Sequence, residues 1–286
     1  MKYLSKYLCV FFLLLTFSGK TQVNLDSLWS VWNDTLQADT NRLKAMKKIA
    51  WDGYIFSQPD SAYYFAQLQY DFALSVNNKK GMATALHVQG VSFYLKGNLE
   101  KALEYNLMSL EIKKEIGDKK GVGASYGNIG LIYRNQGNLE KALEYNLMSL
   151  EISKEIGDKK GMGNSYNNIG LIYNDQGNYE KALEYLLKAK SIYQEINVIT
   201  DLDITAKALM EVYEKLGKPQ KALEYHKLYV SIKDSLATMD GIEKEKQRQI
   251  REQYLLEKQV DSIKHADEII IQQAETKTQK QRKNGS

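Results

Sequence analysis

The side chains that most often carry catalysis are sparse in this sequence and are not grouped. The three histidines, His87, His226 and His265, lie far apart, and none has an Asp or Cys partner that recurs at a useful spacing. Gly121 and Gly123 open a predicted helix without the preceding strand or the Lys-Ser/Thr pair of a phosphate-binding loop. We therefore expect no enzyme activity, no metal site and no cofactor.

Two carboxamides offer a different kind of chemistry. Asn128 and Asn168 stand 40 residues apart in stretches that are otherwise closely similar. A carboxamide both donates and accepts hydrogen bonds, so a row of them can bind the backbone of an extended peptide without reading its side chains. Each bond contributes about 0.5–1.5 kcal/mol net, so several are needed. The alternative is that these residues are solvated surface that was copied by duplication.

The spacing of 40 residues between the two carboxamides is the period of an internal repeat. Residues 97–120 return at 137–160 with a single change, from Lys113 to Ser153. Self-similarity at a fixed period is the signature of a repeat architecture. The pattern of apolar residues predicts two helices in each unit of the repeat. The units are 41–80, 81–120, 121–160, 161–200 and 201–240.

Within unit 121–160 the apolar residues recur at spacings of three and four, as on one face of a helix. Gly137 is expected to end the first helix, and Asn138 to cap the second. Gly130 lies in mid-helix, where it costs about 1 kcal/mol relative to Ala. We infer that the two helices cross there, opposite Ala142. The recurring structural residues are Tyr126, Tyr133, Tyr166, Tyr173, Tyr213, Gly90, Gly130, Gly170, Ala102, Ala142, Ala182 and Ala222.

A known signature has the same order of residues: Tyr126, Ile129, Gly130, Tyr133 and Ala142 resemble the tetratricopeptide repeat. The resemblance covers about 41–240 and is strongest in 81–200. The period of 40 residues is longer than the common 34. In this respect the chain is similar to the variety found in cell-polarity adaptors and in the periplasmic sensor regions of bacterial histidine kinases and adenylate cyclases.

Two units depart from the signature. In 201–240 Met210 replaces the Gly, and in 41–80 Gly53 stands where the signature has Tyr. The resemblance nevertheless implies an all-α fold, a right-handed superhelical solenoid of about five helix pairs. A short amphipathic segment at 25–40 predicts a helix that caps the first unit, because end units of an array expose an apolar face.

The resemblance also implies a concave groove, lined by the first helix of each unit, that grips a peptide or protein segment. The residues between the buried positions of these helices are expected to face it. The Lys/Arg set with which some family members bind a C-terminal carboxylate is missing, since Arg134 has no basic neighbour. The candidate groove residues are Asn128, Leu131, Arg134, Asn135, Asn164, Asn167, Asn168, Leu171, Asn174 and Asp175.

Both ends of the chain differ from the array. Residues 1–19 combine Lys2 and Lys6 with an apolar run of about ten residues, which is too short for a bilayer span of roughly 20. We expect a cleaved signal peptide and an exported protein, periplasmic or secreted; the alternative is an uncleaved anchor. Residues 241–286 predict a long charged helix or a juxtamembrane-like tail, whose two imperfect heptads allow a weak dimer.

The net charge of +4 is spread along the chain and forms no basic stripe, so nucleic acid is not an expected partner. We predict a non-enzymatic interaction scaffold with no membrane span in the mature chain. Two alternatives remain open. One is the input domain of a transmembrane sensor whose kinase, cyclase or DNA-binding module is absent after Ser286. The other is a structural spacer or self-association module.

Overall fold

The computed structural model describes residues 25–239 together with 241 and 242. Every regular element within these ranges is helical. Consecutive helices pack against each other in chain order, both within a unit and from one unit to the next. The predicted helical solenoid is therefore confirmed. The predictions for the signal peptide and for the tail from residue 243 fall outside the described ranges.

The helices follow the 40-residue period. The bounds are α1 Leu25–Asn33, α2 Asp39–Lys48, a π-helical turn Ile49–Tyr54, α3 Pro59–Ser75, α4 Lys79–Leu95, α5 Leu99–Glu115, α6 Lys119–Asn135, α7 Leu139–Glu155, α8 Lys159–Asp175, α9 Tyr179–Glu195, α10 Ile199–Lys215 and α11 219–239. The first helices of the five units are α2, α4, α6, α8 and α10, and the second helices are α3, α5, α7, α9 and α11. The preceding helix, α1, is not part of a pair.

The turn between α6 and α7 uses the predicted stop and cap. Gly137 adopts a φ of +77°, and the N–H of Asn138 reaches back to the carbonyl of Tyr133 at 2.9 Å, as in a Schellman motif. Asn138 Oδ1 then accepts the N–H of Lys141 at 3.1 Å, which caps α7. Asp158 occupies the corresponding position before α8 but makes no capping bond with its side chain.

The first unit ends its first helix in another way. Ser57 stands where the other four units have a Gly, and the chain widens into the π-helical turn Ile49–Tyr54. The carbonyl of Tyr54 then accepts the N–H groups of both Ser57 and Gln58, at 3.1 and 2.8 Å. A wider turn thus closes this helix without a residue in the left-handed conformation, which Gly adopts most readily.

Helix α1 packs on the first unit through its two Trp rings. They meet Phe rings of α3 edge to face, with 5.4 and 5.2 Å between ring centroids. The helix is shorter than the segment 25–40 that the sequence predicts, because it ends at Asn33. Asp34 Oδ1 accepts the N–H of Leu36 at 2.9 Å, and this local turn competes with helical hydrogen bonding.

The two helices of a unit approach closely at the mid-helix glycine. A Cβ added to Gly130 would lie 2.2 Å from Nδ2 of Asn146 and 3.1 Å from the carbonyl oxygen of Ala142. The helices therefore meet near Ala142, as inferred, but the nearest side chain is that of Asn146, one turn further along α7. The equivalent contacts in neighbouring units are Gly90 with Asn106 and Gly170 with Leu186.

Tyrosine pairs hold the same helices together near the crossing. The ring of Tyr133 stacks on that of Tyr145, with 5.4 Å between centroids and 28° between planes. The ammonium of Lys141 lies 5.1 Å from the centroid of the Tyr133 ring, within range of a cation–π interaction. The recurring Tyr residues thus join the first helix of a unit to its second. The other stacked pairs are Tyr173 with Tyr185 and Tyr213 with Tyr225.

We expect Gly130→Ala to lower the free energy of unfolding by about 1–2 kcal/mol. The new methyl group must displace the buried Asn146 side chain, and this cost exceeds the gain of about 1 kcal/mol in helix propensity. Gly127→Ala is the matched control in the same helix, because its Cβ would meet only Ser149 Oγ at 3.5 Å. Urea unfolding should show the control to be at least as stable as the wild type. Equal stabilities of the two variants would contradict the close crossing.

Candidate functional site

The candidate residues lie on two neighbouring first helices. We call the surface that they define the first-helix face. It comprises Asn128, Leu131, Arg134 and Asn135 on α6, and Asn164, Asn167, Asn168, Leu171, Asn174 and Asp175 on α8.

Some of these side chains join first helices of successive units. Asn135 Nδ2 donates to the hydroxyl of Tyr94 on α4 at 2.6 Å. Arg134 binds the carboxylate of Asp175 with two hydrogen bonds, from Nε to Oδ2 at 2.5 Å and from Nη2 to Oδ1 at 3.1 Å. A two-pronged Arg–carboxylate pair fixes geometry as well as adding energy. Side chains that the sequence analysis predicted to face the groove thus link α4 to α6 and α6 to α8.

Asn164 and Asn167 are held by protein contacts. Tyr193 on α9 donates its hydroxyl to Asn164 Oδ1 at 2.8 Å, and burial raises the pKa of Tyr193, so that the hydroxyl stays protonated. Thr205 on α10 donates to Asn167 Oδ1 at 2.9 Å. Asn167 is only 8% exposed. The prediction that Asn167 faces an open groove is wrong, because its side chain is buried and bonded to Thr205 of the next first helix.

Asn128 and Asn168 occupy equivalent positions in different surroundings. Asn168 Nδ2 donates to Oδ1 of Asn146 at 3.0 Å, and Asn146 is itself buried, with its Nδ2 bonded to the carbonyl of Ala142 at 2.8 Å. Among the described residues, none forms a hydrogen bond with the side chain of Asn128. Of the two, Asn128 therefore keeps its full donor and acceptor capacity for a ligand.

His87 accounts for the difference between the two asparagines. In the second unit, Nδ1 of His87 lies 3.4 Å from Asn106 Oδ1, whereas the corresponding residue of the third unit is Gly127, which leaves the Asn146 carbonyl open to Asn168. Burial lowers the pKa of His87 to about 4, with the charges of Lys113 and Lys47 acting in the same direction. The ring is therefore neutral at pH 7, and its Nδ1–H is the donor.

Apolar side chains run beside the polar ones. Leu131 and Leu171 are half-buried, as is Val91 at the equivalent position of α4. In the first unit the same position holds Trp51, which lies in the π-helical turn, and its ring stacks on that of His87 with 5.7 Å between centroids. The first helices thus offer a row of partly exposed apolar surface next to amide groups.

Lys113, on the second helix α5, is a feature that the sequence analysis missed. It is only 9% exposed, and its Nζ donates to Ser125 Oγ at 2.7 Å. Burial lowers the pKa of Lys113 to about 8; Asp118 opposes this shift, and Lys47 adds to it. The signal that pointed to this residue was present in the sequence, because Lys113 is the one residue that differs between the two copies of the duplicated stretch.

The part of the chain that the structure describes holds no group of three or more His, Cys, Asp or Glu side chains arranged to bind a metal ion. Within the same part, no helix combines the length and the apolar character that a membrane span requires.

We expect Asn168→Ala and Asn128→Ala to differ in stability. The first variant leaves the buried carbonyl of Asn146 without its donor, which should cost about 1–3 kcal/mol. The second removes a side chain that has no described hydrogen-bond partner, so its free energy of unfolding should stay within about 0.5 kcal/mol of the wild type. Urea unfolding of both variants tests this; a larger loss for Asn128→Ala would reverse the assignment.

Lys113→Ser should change how stability depends on pH. The pKa of Lys113 falls from 10.5 to about 8 on folding, so the folded state disfavours the ammonium. This penalty is fully present below pH 8 and fades as the pH rises towards the unfolded value. We expect the free energy of unfolding of the wild type, measured relative to the variant, to rise between pH 8 and 10.5. A constant difference across this window would show that Lys113 titrates normally.

Solved structures show where this fold occurs elsewhere. BtubC (BKLC) from P. vanneervenii is 18% identical, with a TM-score of 0.61 over 74% of this chain and 88% of that chain. Aspartyl phosphate phosphatase F from Bacillus subtilis is 20% identical, with a TM-score of 0.60 over 71% of this chain and 54% of that chain. A putative kinesin light chain from Podosopora anserina is 15% identical, with a TM-score of 0.54 over 69% and 97%. At these identities the likeness concerns the fold alone.

A search of curated proteins finds no match to this chain. The family model described as tetratricopeptide repeat matches residues 81–155 and 161–235, which together make up more than half of the chain. The resemblance stated from the sequence is thereby confirmed, while the likeness to periplasmic sensor regions stays a prediction. The chain belongs to the tetratricopeptide repeat family.

Proposed function

We propose that the first-helix face binds a peptide or protein segment and that the protein carries out no chemistry of its own. Membership of the tetratricopeptide repeat family indicates an interaction scaffold. The observation that supports this site most directly is the free carboxamide of Asn128, which lies beside the half-buried Leu131 in α6.

The inter-unit bonds favour binding because they set the spacing of the first helices before a ligand arrives. Asn135 is tied to Tyr94, and Arg134 to Asp175. Side chains that are already ordered lose little conformational entropy on binding, which otherwise costs about 0.5–1.5 kcal/mol for each flexible side chain. The prediction of a binding surface is retained for these residues, but their role is to hold its shape.

Direct contact is assigned to fewer residues than the sequence suggested. Asn128 can donate to one backbone carbonyl of a peptide and accept from one N–H. Asn168 retains its Oδ1 and one N–H, since only one N–H is used by Asn146. Leu131 and Leu171 can be covered by an apolar side chain of the partner. A short extended segment that alternates backbone contacts with one apolar residue fits this arrangement.

Export and a sensor input role stay predictions from the sequence. Neither changes what the first-helix face is proposed to do, because an input domain of a sensor would also bind its ligand there. The spacer alternative differs, since it predicts no peptide binding to this face.

The test begins with peptides selected from a random library on the full chain. The affinity of a selected peptide is then measured for the wild type, for Asn128→Ala and for Glu151→Ala, an exposed position on the second helix α7. Asn128→Ala should weaken binding by about 0.5–1.5 kcal/mol, the usual contribution of a hydrogen bond. The Glu151 control should bind as the wild type does. Failure to enrich any peptide, or loss of binding only in the control, would contradict the proposal.

A further inference from the structure

The duplicated stretch differs at one residue, and that residue is buried. Lys113 in the second unit corresponds to Ser153 in the third. Both side chains are almost fully covered, with 9% and 4% exposed. The same local sequence therefore surrounds an ammonium in one unit and a hydroxyl in the next. Because a buried charge is costly unless it is paired, the difference calls for a partner of Lys113.

The described residues use only part of the hydrogen-bonding capacity of the Lys113 ammonium. Its Nζ can donate three hydrogen bonds, and one goes to Ser125 Oγ at 2.7 Å. Asp118 is close enough to raise the pKa of Lys113, but no carboxylate within the described ranges forms an ion pair with it. Oδ1 of Asp118 accepts the N–H of Gly121 at 2.9 Å, which caps α6. Within the part of the chain that the structure describes, the charge of Lys113 thus lacks a bonded counter-ion.

Lys113 contacts one first helix and interacts electrostatically with groups on two others. Its hydrogen-bond partner Ser125 belongs to α6, and its stem would lie 3.0 Å from a Cβ on Gly121 at the start of that helix. His87 on α4 and Lys47 on α2 are near enough for charge interactions. Ser125 lies three residues before Asn128 on α6, so the ammonium is bonded to the same helix that carries the proposed binding surface. Lys47 is exposed, and its charge adds to the positive potential at Lys113.

We propose that Lys113, supported by Lys47, binds a side-chain carboxylate of the peptide held on the first-helix face. This deepens the proposed function and rests on it. The buried lysine supplies a strong charge-assisted bond, because water does not screen it well. Lys47 is solvated and contributes attraction over a longer range. The partner is therefore a peptide with an Asp or Glu residue next to the segment that contacts Asn128.

A carboxylate fits better than a phosphate. The ring of His87 is neutral at pH 7, and Asp118 already offsets part of the positive charge. With Asp118 counted, the two lysines leave one net positive charge, which matches a group with a single negative charge. The site also differs from a clamp on a chain terminus, because its buried cation comes from a second helix.

The duplication supplies matched variants. Lys113→Ser gives the second unit the residue that the third unit carries in equivalent surroundings, so the variant is expected to fold. Ser153→Lys makes the reverse change. Circular dichroism and urea unfolding of both variants of the full chain check that the helices and the cooperative transition are retained.

The probe is an acidic peptide selected on the full chain, used with its Glu and Asp residues intact, replaced by Gln and Asn, or replaced by phosphoserine. A form with an amidated C-terminus is included. For the wild type, the amide-substituted peptide should bind about tenfold more weakly or worse, as expected for loss of a charge-assisted hydrogen bond. Lys113→Ser should bind both forms equally weakly, and C-terminal amidation should change nothing.

The outcomes separate this proposal from the function on which it rests. If Asn128→Ala weakens binding but Lys113→Ser does not, the peptide site stands and the carboxylate site is wrong. If neither substitution weakens binding, both proposals fail. Selected peptides without acidic residues, tighter binding of the phosphoserine form, or a loss on amidation would each overturn the assignment of a side-chain carboxylate. An NMR titration of the Lys113 ammonium should show that the acidic peptide raises its pKa.

Discussion

The close crossing of the two helices in each unit is the constraint on which the rest of the structure depends. Gly130 brings α6 so near to α7 that the carboxamide of Asn146 fills the space between them. That carboxamide is fully buried, so both its ends need partners. Its N–H bonds to the carbonyl of Ala142 in its own helix, and its carbonyl turns to Asn168 on α8. The crossing therefore determines which polar side chain of the next first helix is used inside the protein.

Small differences between nearly identical units follow from this arrangement and give each unit its own chemistry. Where the second unit has His87, the third has Gly127. The side-chain oxygen of Asn106 therefore pairs with His87 in its own unit, whereas that of Asn146 accepts from Asn168 in the next unit. Where the second unit has Lys113, the third has Ser153. A duplicated scaffold can thus keep its helices, turns and tyrosine pairs while the surface formed by the first helices changes. Binding selectivity in such an array depends on a few buried positions as well as on exposed ones.

The helices, their period and their turns could be predicted because they depend on local patterns. Apolar spacing identifies the helix faces, and a Gly before an Asn or Asp marks the turns at 97, 117, 137, 157 and 177. The contacts between units could not be predicted in the same way. Arg134 with Asp175, and Asn167 with Thr205, lie 41 and 38 residues apart in the chain, and each pairing depends on how successive units stack. The burial of Lys113 depends on the same stacking. The local sequence of its helix resembles that of an exposed helix, so the sequence alone did not indicate that this charge is buried.

The most direct measurement is a crystal structure of the full chain with a bound acidic peptide. The account predicts that the peptide lies along α6 and α8, with its backbone bonded to Asn128 and a side-chain carboxylate within about 3 Å of Lys113 Nζ. It also predicts that the bonds from Arg134 to Asp175 remain in place. A peptide bound on the second helices, with Lys113 still bonded to Ser125 alone, would contradict the account.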